Sequence, residues 1–316
     1  MTSEKRLLYL DALKGILIVL VILGHVIQSA ISDYQHNVLF RLIYSFHMPL
    51  FFLISGFLTY KGKYDGKLVA KRFVQCIIPF ISWAFLLPIL ENGILDLSRS
   101  VNILLYPDNG LWFLYNLFFY CVMVSLSERW ASVKFKQEYV LLILVAFSYL
   151  LMAILHTKLN ATQICWYFPF FAMGYYMRKY PSLWHKRRLI ICIVGGYLLT
   201  VPFWMMREEP LFYRWINLGT LFSYSYRYFV EFAGAYTFFV FGRMFLNIKI
   251  PVINHIGKKT LGIYAFQFLV LYHFVIEDNS YINILLTTIL CTLLSLGCVE
   301  VVHRIKYVRL FIIGEK

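Results

Sequence analysis

"YLDALKGILIVLVILGHVIQSA", residues 9–30, is long and apolar enough to cross a bilayer, yet it carries Asp11, Lys14 and His25. An ionisable side chain facing lipid at mid-bilayer costs about 3 kcal/mol or more. On an ideal helix each residue turns about 100° and rises about 1.5 Å. Lys14 and His25, eleven residues apart, therefore share one face about 16 Å apart along the axis. Asp11 precedes Lys14 by three residues, the spacing of a helical ion pair. Gly24 beside His25 leaves room for a close approach by another chain or a ligand. Taken singly, these groups read as a neutralising pair near the membrane surface and a histidine bonded across helices. Their common stripe instead points into a cavity or the bundle interior.

The rest of the chain has the same character. Its 316 residues are 60% hydrophobic and 15% charged, with mean hydropathy +0.68, which excludes a soluble domain with a wet surface. Apolar runs near 8–30, 38–60, 70–90, 110–128, 138–156, 161–178, 187–205, 220–245, 258–276 and 281–303 are each about a bilayer thick. Unpaired backbone amides are intolerable in lipid, so helices are expected. The expected fold is an all-α integral membrane protein: one polytopic domain over residues 1–316, about ten transmembrane helices, and both termini cytoplasmic.

Net charge +14 does not indicate nucleic acid here. With the N-terminus inside, 23 of the 30 Lys and Arg fall on cytoplasmic segments, whereas external loops hold Arg99, Lys158, Arg207 and Arg214. That is the positive-inside pattern, and its partner is the membrane lipid. Lys14, Arg41 and Arg227 remain within spans and need separate explanations. All six cysteines lie in spans, with no C-x-x-C pair and no histidine cluster, so core packing is expected and a metal is not. Lys5 and Arg6 before an apolar run imitate a signal peptide; Asp11 and Lys14 break that run, and an uncleaved first helix is expected.

Further polar residues stand out. In "SFHMPLFFLISGF" (45–57), His47 opens the segment, Pro49 is expected to bend the helix, and Ser55 with Gly56 offers a small packing face. "AKRFVQCIIPF" (70–80) puts Arg72 at the entry of the third span. "NGLWFLYNLFF" (109–119) sets Trp112 and Asn116 on one side. "SYRYFVEFAGAY" (225–236) spaces Arg227 and Glu231 for pairing. Glu300 and His303 are expected to snorkel at a membrane edge. Stretches 91–110 and 205–219 are long enough to form a lip over an external cavity, with parts lying in the interface.

Together, "LDALKGILIVLVILGH" (10–25), "FHMPLFFLISGFL" (46–58), "KRFVQCIIPF" (71–80), "GLWFL" (110–114), "FPFFAMGYYMRK" (168–179) and "IGKKTLGIYAF" (256–266) are distinctive. In this order they make the sequence resemble membrane acyltransferase family three, ten-span transferases that O-acylate surface carbohydrates, and within it the fucose-4-O-acetylase-like branch. The resemblance implies a multi-pass protein of a bacterial inner or plasma membrane. It also implies acetyl-CoA or a short acyl-CoA as cytoplasmic donor, and a surface polysaccharide or lipid-linked glycan as acceptor.

The family's basic residue eleven positions before an essential histidine falls on Lys14 and His25. Lysine keeps the charge of the usual arginine without its bidentate fork. The family's Arg-x-x-Arg falls on Arg72 and Gln75, so its second arginine is absent here. Its "LGIY" segment commonly continues to a histidine where this chain has Gln267.

His25 is then the expected general base, drawing a proton from a sugar hydroxyl as it attacks the thioester. Asp11 orients Lys14, and Lys14 with Arg72 holds the anionic donor. Trp112 and Asn116 line the acyl path, while His47, Asn116, Arg227 and Glu231 face the acceptor. An acyl-His25 intermediate and direct transfer both remain open. Two other classes compete: a proton-coupled transporter or glycan flippase using Asp11, His25, Arg227 and Glu231 as a relay, and an inert scaffold that kept the fold.

Overall fold

The computed structural model describes residues 7–62, 64–109, 111–131, 136–155, 158–206, 210, 219–274 and 280–315. Lys5, Arg6, Lys63, Gly110, Lys134, Arg207, Arg214, Lys316 and most of the 205–219 loop lie outside the described residues.

Every regular element among the described residues is helical. The principal helices are α1 (Leu8–Ala30), α2 (Val38–Tyr44), α3 (His47–Thr59), α4 (Leu68–Asn92), α5 (Leu97–Leu105), α6 (Trp112–Trp130) and α7 (Gln137–Leu155). They continue with α8 (Ala161–Lys179), α9 (Arg187–Thr200), α10 (Thr220–Phe245), α11 (Pro251–Lys258), α12 (Thr260–Phe274), α13 (Tyr281–His303) and α14 (Lys306–Ile313). Among the described residues five segments are long and apolar enough to cross a membrane: Leu8–Ala30, Val38–Thr59, Leu68–Asn92, Gln137–Leu155 and Tyr281–His303. α7 turns Leu142, Ile143, Phe147 and Ile154 outward, and α13 exposes Ile282, Leu285, Leu286 and Leu293. Apolar surface this extensive suits a lipid environment.

Two helices depart from regularity, and proline accounts for both. The bend expected at Pro49 lies earlier, at Ser45 and Phe46, between α2 and α3. Pro49 has no N–H for the Ser45 carbonyl, so it is tolerated only in the first turn of a helix, which therefore begins at His47. In α4 a π-helical turn spans Phe73–Ile77. Pro79 likewise cannot bond the carbonyl of Gln75, and the wider turn follows.

Backbone contact decides which helices touch. A methyl on Gly174 of α8 would lie 1.8 Å from the Leu53 carbonyl oxygen, and one on Gly56 of α3 would lie 1.9 Å from that of Phe171. These reciprocal glycines let α3 and α8 meet main chain to main chain. A second pair joins α1 to α11: methyls on Gly15 and Gly257 would fall 2.2 Å from the Ile253 oxygen and 1.8 Å from the Asp11 oxygen. Asn254 Nδ2 adds a 2.9 Å bond to the Leu8 carbonyl. α1 thus runs through the middle of the bundle, flanked by α3, α10, α11, α12 and α13.

The last helix returns to the face where α1 begins. Trp83 Nε1 donates to the Ile312 carbonyl at 2.9 Å. Gly314 has φ +68°, a left-handed turn that sets it against the Gln75 backbone. Glu300 pairs with His255 at 2.9 Å and His303 with Glu315 at 2.8 Å, which ties helix ends together at this face. Arg41 is accounted for as well: its guanidinium donates to the carbonyls of Trp204, at 2.8 Å, and Pro202.

Candidate active site

Of the stripe on α1, Lys14 lines a cavity. Lys14, Ile18 and Val21 face about 240 Å³ of space closed by α3, α4, α6, α12, α13 and the segment Ile313–Glu315. Lys14, Arg72, Lys258 and Lys259 line it, all from the face where α1 starts. Deeper in the bundle the lining is Val21, Met48, Phe113 and Tyr264. One end is therefore strongly basic and the interior apolar, which suits a ligand with an anionic head and a slender chain.

Lys14 Nζ lies 3.1 Å from Asp11 Oδ1, the pair that the spacing implied. Arg72 Nη1 donates to Gln75 Oε1 at 3.2 Å, so the residue standing where the second arginine was missing holds the first in place. Arg72 Nε is buried without a partner, leaving a donor for a ligand. Lys258 and Lys259 are residues that sequence reasoning counted only as positive-inside charges. The α1–α11 glycine contact carries them to the same mouth as Lys14. Lys259 Nζ also lies 3.9 Å from Glu300.

His25 and His47 are not among the lining residues; they sit together about one helical turn past it. Along α1 the lining of this cavity ends at Val21. The His25 ring packs against Phe268 with centroids 5.4 Å apart and hydrogen-bonds Gln28. Tyr44 donates to Gln28 Oε1 at 3.3 Å and meets the His47 ring edge-on at 4.6 Å. Gly24 makes room for this tyrosine, since a methyl there would lie 2.7 Å from Tyr44 Cε2. His47 is buried, donates from Nδ1 to the Ile43 carbonyl at 2.9 Å, and lies within range of the charge on His25. That bond puts the proton on Nδ1 and leaves the Nε2 lone pair available.

Trp112 and Asn116 do not line the cavity. Trp112 stacks on Tyr167 at 5.4 Å, and Asn116, fully buried, accepts from Asn160 Nδ2 at 2.7 Å. Their successors Phe113 and Leu117 line it instead, because one residue rotates the face by about 100°. Asn116 fastens α6 to the turn before α8.

Arg227 and Glu231 communicate through Trp166 rather than by an ion pair. Its Nε1 donates to Glu231 Oε2 at 3.0 Å, and its ring carries the Arg227 guanidinium at 5.3 Å. Tyr167, which sequence reasoning missed, lies within range of the charges of Arg227 and Glu231 and of the Tyr44 hydroxyl, linking this cluster to the histidine pair. An aromatic among 29 Phe and 24 Tyr carries no distinguishing signal.

Residues 7–302 match the family model described as an acyltransferase domain. Two curated relatives are both named nodulation protein NolL. That of Sinorhizobium fredii is 29% identical over 194 residues, covering 55% of this chain and 49% of the relative. That of Mesorhizobium japonicum is 26% identical over 197 residues, covering 58% and 51%. The chain spans about half the length of the curated relatives it matches. No solved structure matches it.

Proposed function

Because the chain belongs to the acyltransferase domain family, we propose that it is a membrane O-acyltransferase. It takes an acetyl or short acyl group from acyl-CoA at the cytoplasmic face and passes it to a carbohydrate hydroxyl on the far side. We include in this reading the fucose-4-O-acetylase-like branch, a single domain over 1–316, ten spans, both termini in the cytoplasm, and a bacterial inner or plasma membrane. A surface polysaccharide or lipid-linked glycan is the acceptor.

One observation carries the reading: a basic-mouthed apolar cavity runs along the face of α1 that continues to His25. Acyl-CoA supplies the activated thioester. Lys14, Arg72, Lys258 and Lys259 hold its phosphates by charge-assisted hydrogen bonds. Ile18, Val21, Ile54 and Leu117 exclude water along the chain. His25 takes the proton of the attacking hydroxyl as the C–O bond forms, and returns it to the departing thiolate. His47, fixed as its Nδ1–H tautomer by the Ile43 carbonyl, completes the polar wall beside it. Arg227, Trp166 and Glu231 shape the acceptor side.

Purified membranes given acetyl-CoA and the native surface glycan are expected to release free CoA and add acetyl mass to the glycan. A transporter would move glycan with no thioester consumed. Uptake without CoA release would end the proposal.

The mouth has its own test. The double variant Lys258→Gln, Lys259→Gln removes two of the four cations lining the mouth and leaves the α1–α11 glycine contact intact. The KM for acetyl-CoA is expected to rise about 10-fold, the scale of losing charged hydrogen bonds, with kcat within about 2-fold. An unchanged KM would detach the two lysines from donor binding.

A further inference from the structure

Gln267 of α12 is 0% exposed, and neither Oε1 nor Nε2 has a hydrogen-bond partner among the described residues. Ser295 on the facing helix α13 is also 0% exposed, its Oγ bonded at most to the Cys291 thiol. The helices meet at this level: Cys291 Sγ lies 3.9 Å from the Gln267 carbonyl oxygen, and Ser295 is one turn from Cys291. The Cys291 thiol is the polar neighbour within reach of Ser295, and thiols bond weakly. A carboxamide has two N–H donors and an acceptor oxygen, and folds rarely bury them unpaired.

Their position is informative. Gln267 follows cavity-lining Tyr264 by three residues and directly precedes Phe268, whose ring touches His25. Ser295 lies four residues inward from Val299, which also lines the cavity. On both helices these groups therefore sit one turn deeper than the lining, at the level of the imidazole.

We infer that Gln267, with Ser295, recognises the amide of the pantetheine arm nearest the thioester. This rests on reading the donor as acyl-CoA. With its phosphates at the basic mouth, the arm passes the apolar stretch and presents its last amide two carbons before the sulfur. That amide reaches the level of Gln267 as the thioester reaches His25. Gln267 meets the carbonyl edge of this trans amide, its Nε2–H donating to the amide oxygen, while the Ser295 hydroxyl donates to Gln267 Oε1. A site built to pair an amide discriminates strongly against a chain that lacks it.

The test uses the full chain in nanodiscs with two probes: CoA, and a CoA analogue whose distal amide is replaced by methylenes. The wild type is expected to bind CoA at least about 10-fold more tightly than the analogue. In Gln267→Met the preference shrinks below about 2-fold, because both partners of the pair are then apolar. The analogue on the wild type needs no variant to fold. Equal binding of both probes by the wild type, or a full preference kept in Gln267→Met, would overturn the inference and leave these groups to internal water only. Failure of the wild type to bind either probe would instead overturn the acyl-CoA reading itself, and this inference with it.

Discussion

His25→Ala is expected to lower kcat for acyl transfer by about 10²–10⁴-fold, the range for losing a positioned general base. Alanine is the best helix former, so α1 keeps its geometry and its glycine contact with α11. What disappears is the one ionisable group of α1 beyond Val21, together with its contacts to Gln28 and Phe268. His47 does not replace it, because its ring is tied to the Ile43 carbonyl on a different helix. Mass spectrometry of surface polysaccharide from cells with the intact protein, the variant and no protein measures the loss. Near-normal acylation by a well-folded variant would sink both the general-base mechanism and the acyl-His25 alternative. Incubating the wild type with labelled acetyl-CoA and no acceptor separates those two, since only the second leaves label on the protein.

Gly174→Ala should destabilise the protein strongly. The added methyl lands 1.8 Å from the Leu53 oxygen and 2.9 Å from the Phe57 nitrogen, and both are backbone atoms that no rotamer change can move. α3 and α8 must separate, which also opens the Gly56–Phe171 contact and the aromatic layer of Phe52, Tyr120 and Phe171. In lipid there is no hydrophobic drive to hold loosened helices together, so the lost contact is not recovered elsewhere. A destabilisation of about 3 kcal/mol or more corresponds to a melting point lower by about 10 °C. Fluorescence-detected melting in detergent is the measurement. Gly195→Ala on α9 is the control, because nothing lies within 4 Å of its new methyl. A variant at Gly174 melting with the wild type would show that this contact does not hold the bundle.

Much of the architecture was legible in one dimension because membrane crossing is a local property. Apolar length predicted where helices run, and the eleven-residue spacing of Lys14 and His25 put both on one face of α1, of which Lys14 lines the cavity while His25 lies beyond its lining. The same reasoning failed where one residue of rotation matters. Trp112 and Asn116 share a face, yet Phe113 and Leu117 point inward, since composition could not say which neighbour α6 meets. Pairing within a helix was also overread: Arg227 and Glu231 have the right spacing, but Trp166 from α8 stands between their functions. Pro49 announced a break and left its position to the carbonyl it could not satisfy.

The amino-acid sequence alone determined the membrane class, the polar stripe on α1 and the family-like motifs, because each depends on local composition or helical period. Tertiary structure decided that Lys258 and Lys259 join Lys14 and Arg72, that Glu315 and Gly314 border the same mouth, and that the Gln267 carboxamide has no partner among the described residues. These follow from which backbones approach closely. Between helices in lipid that choice is made by the shape complementarity of Gly15 with Ile253 and of Gly174 with Leu53, which no pattern along a single helix encodes.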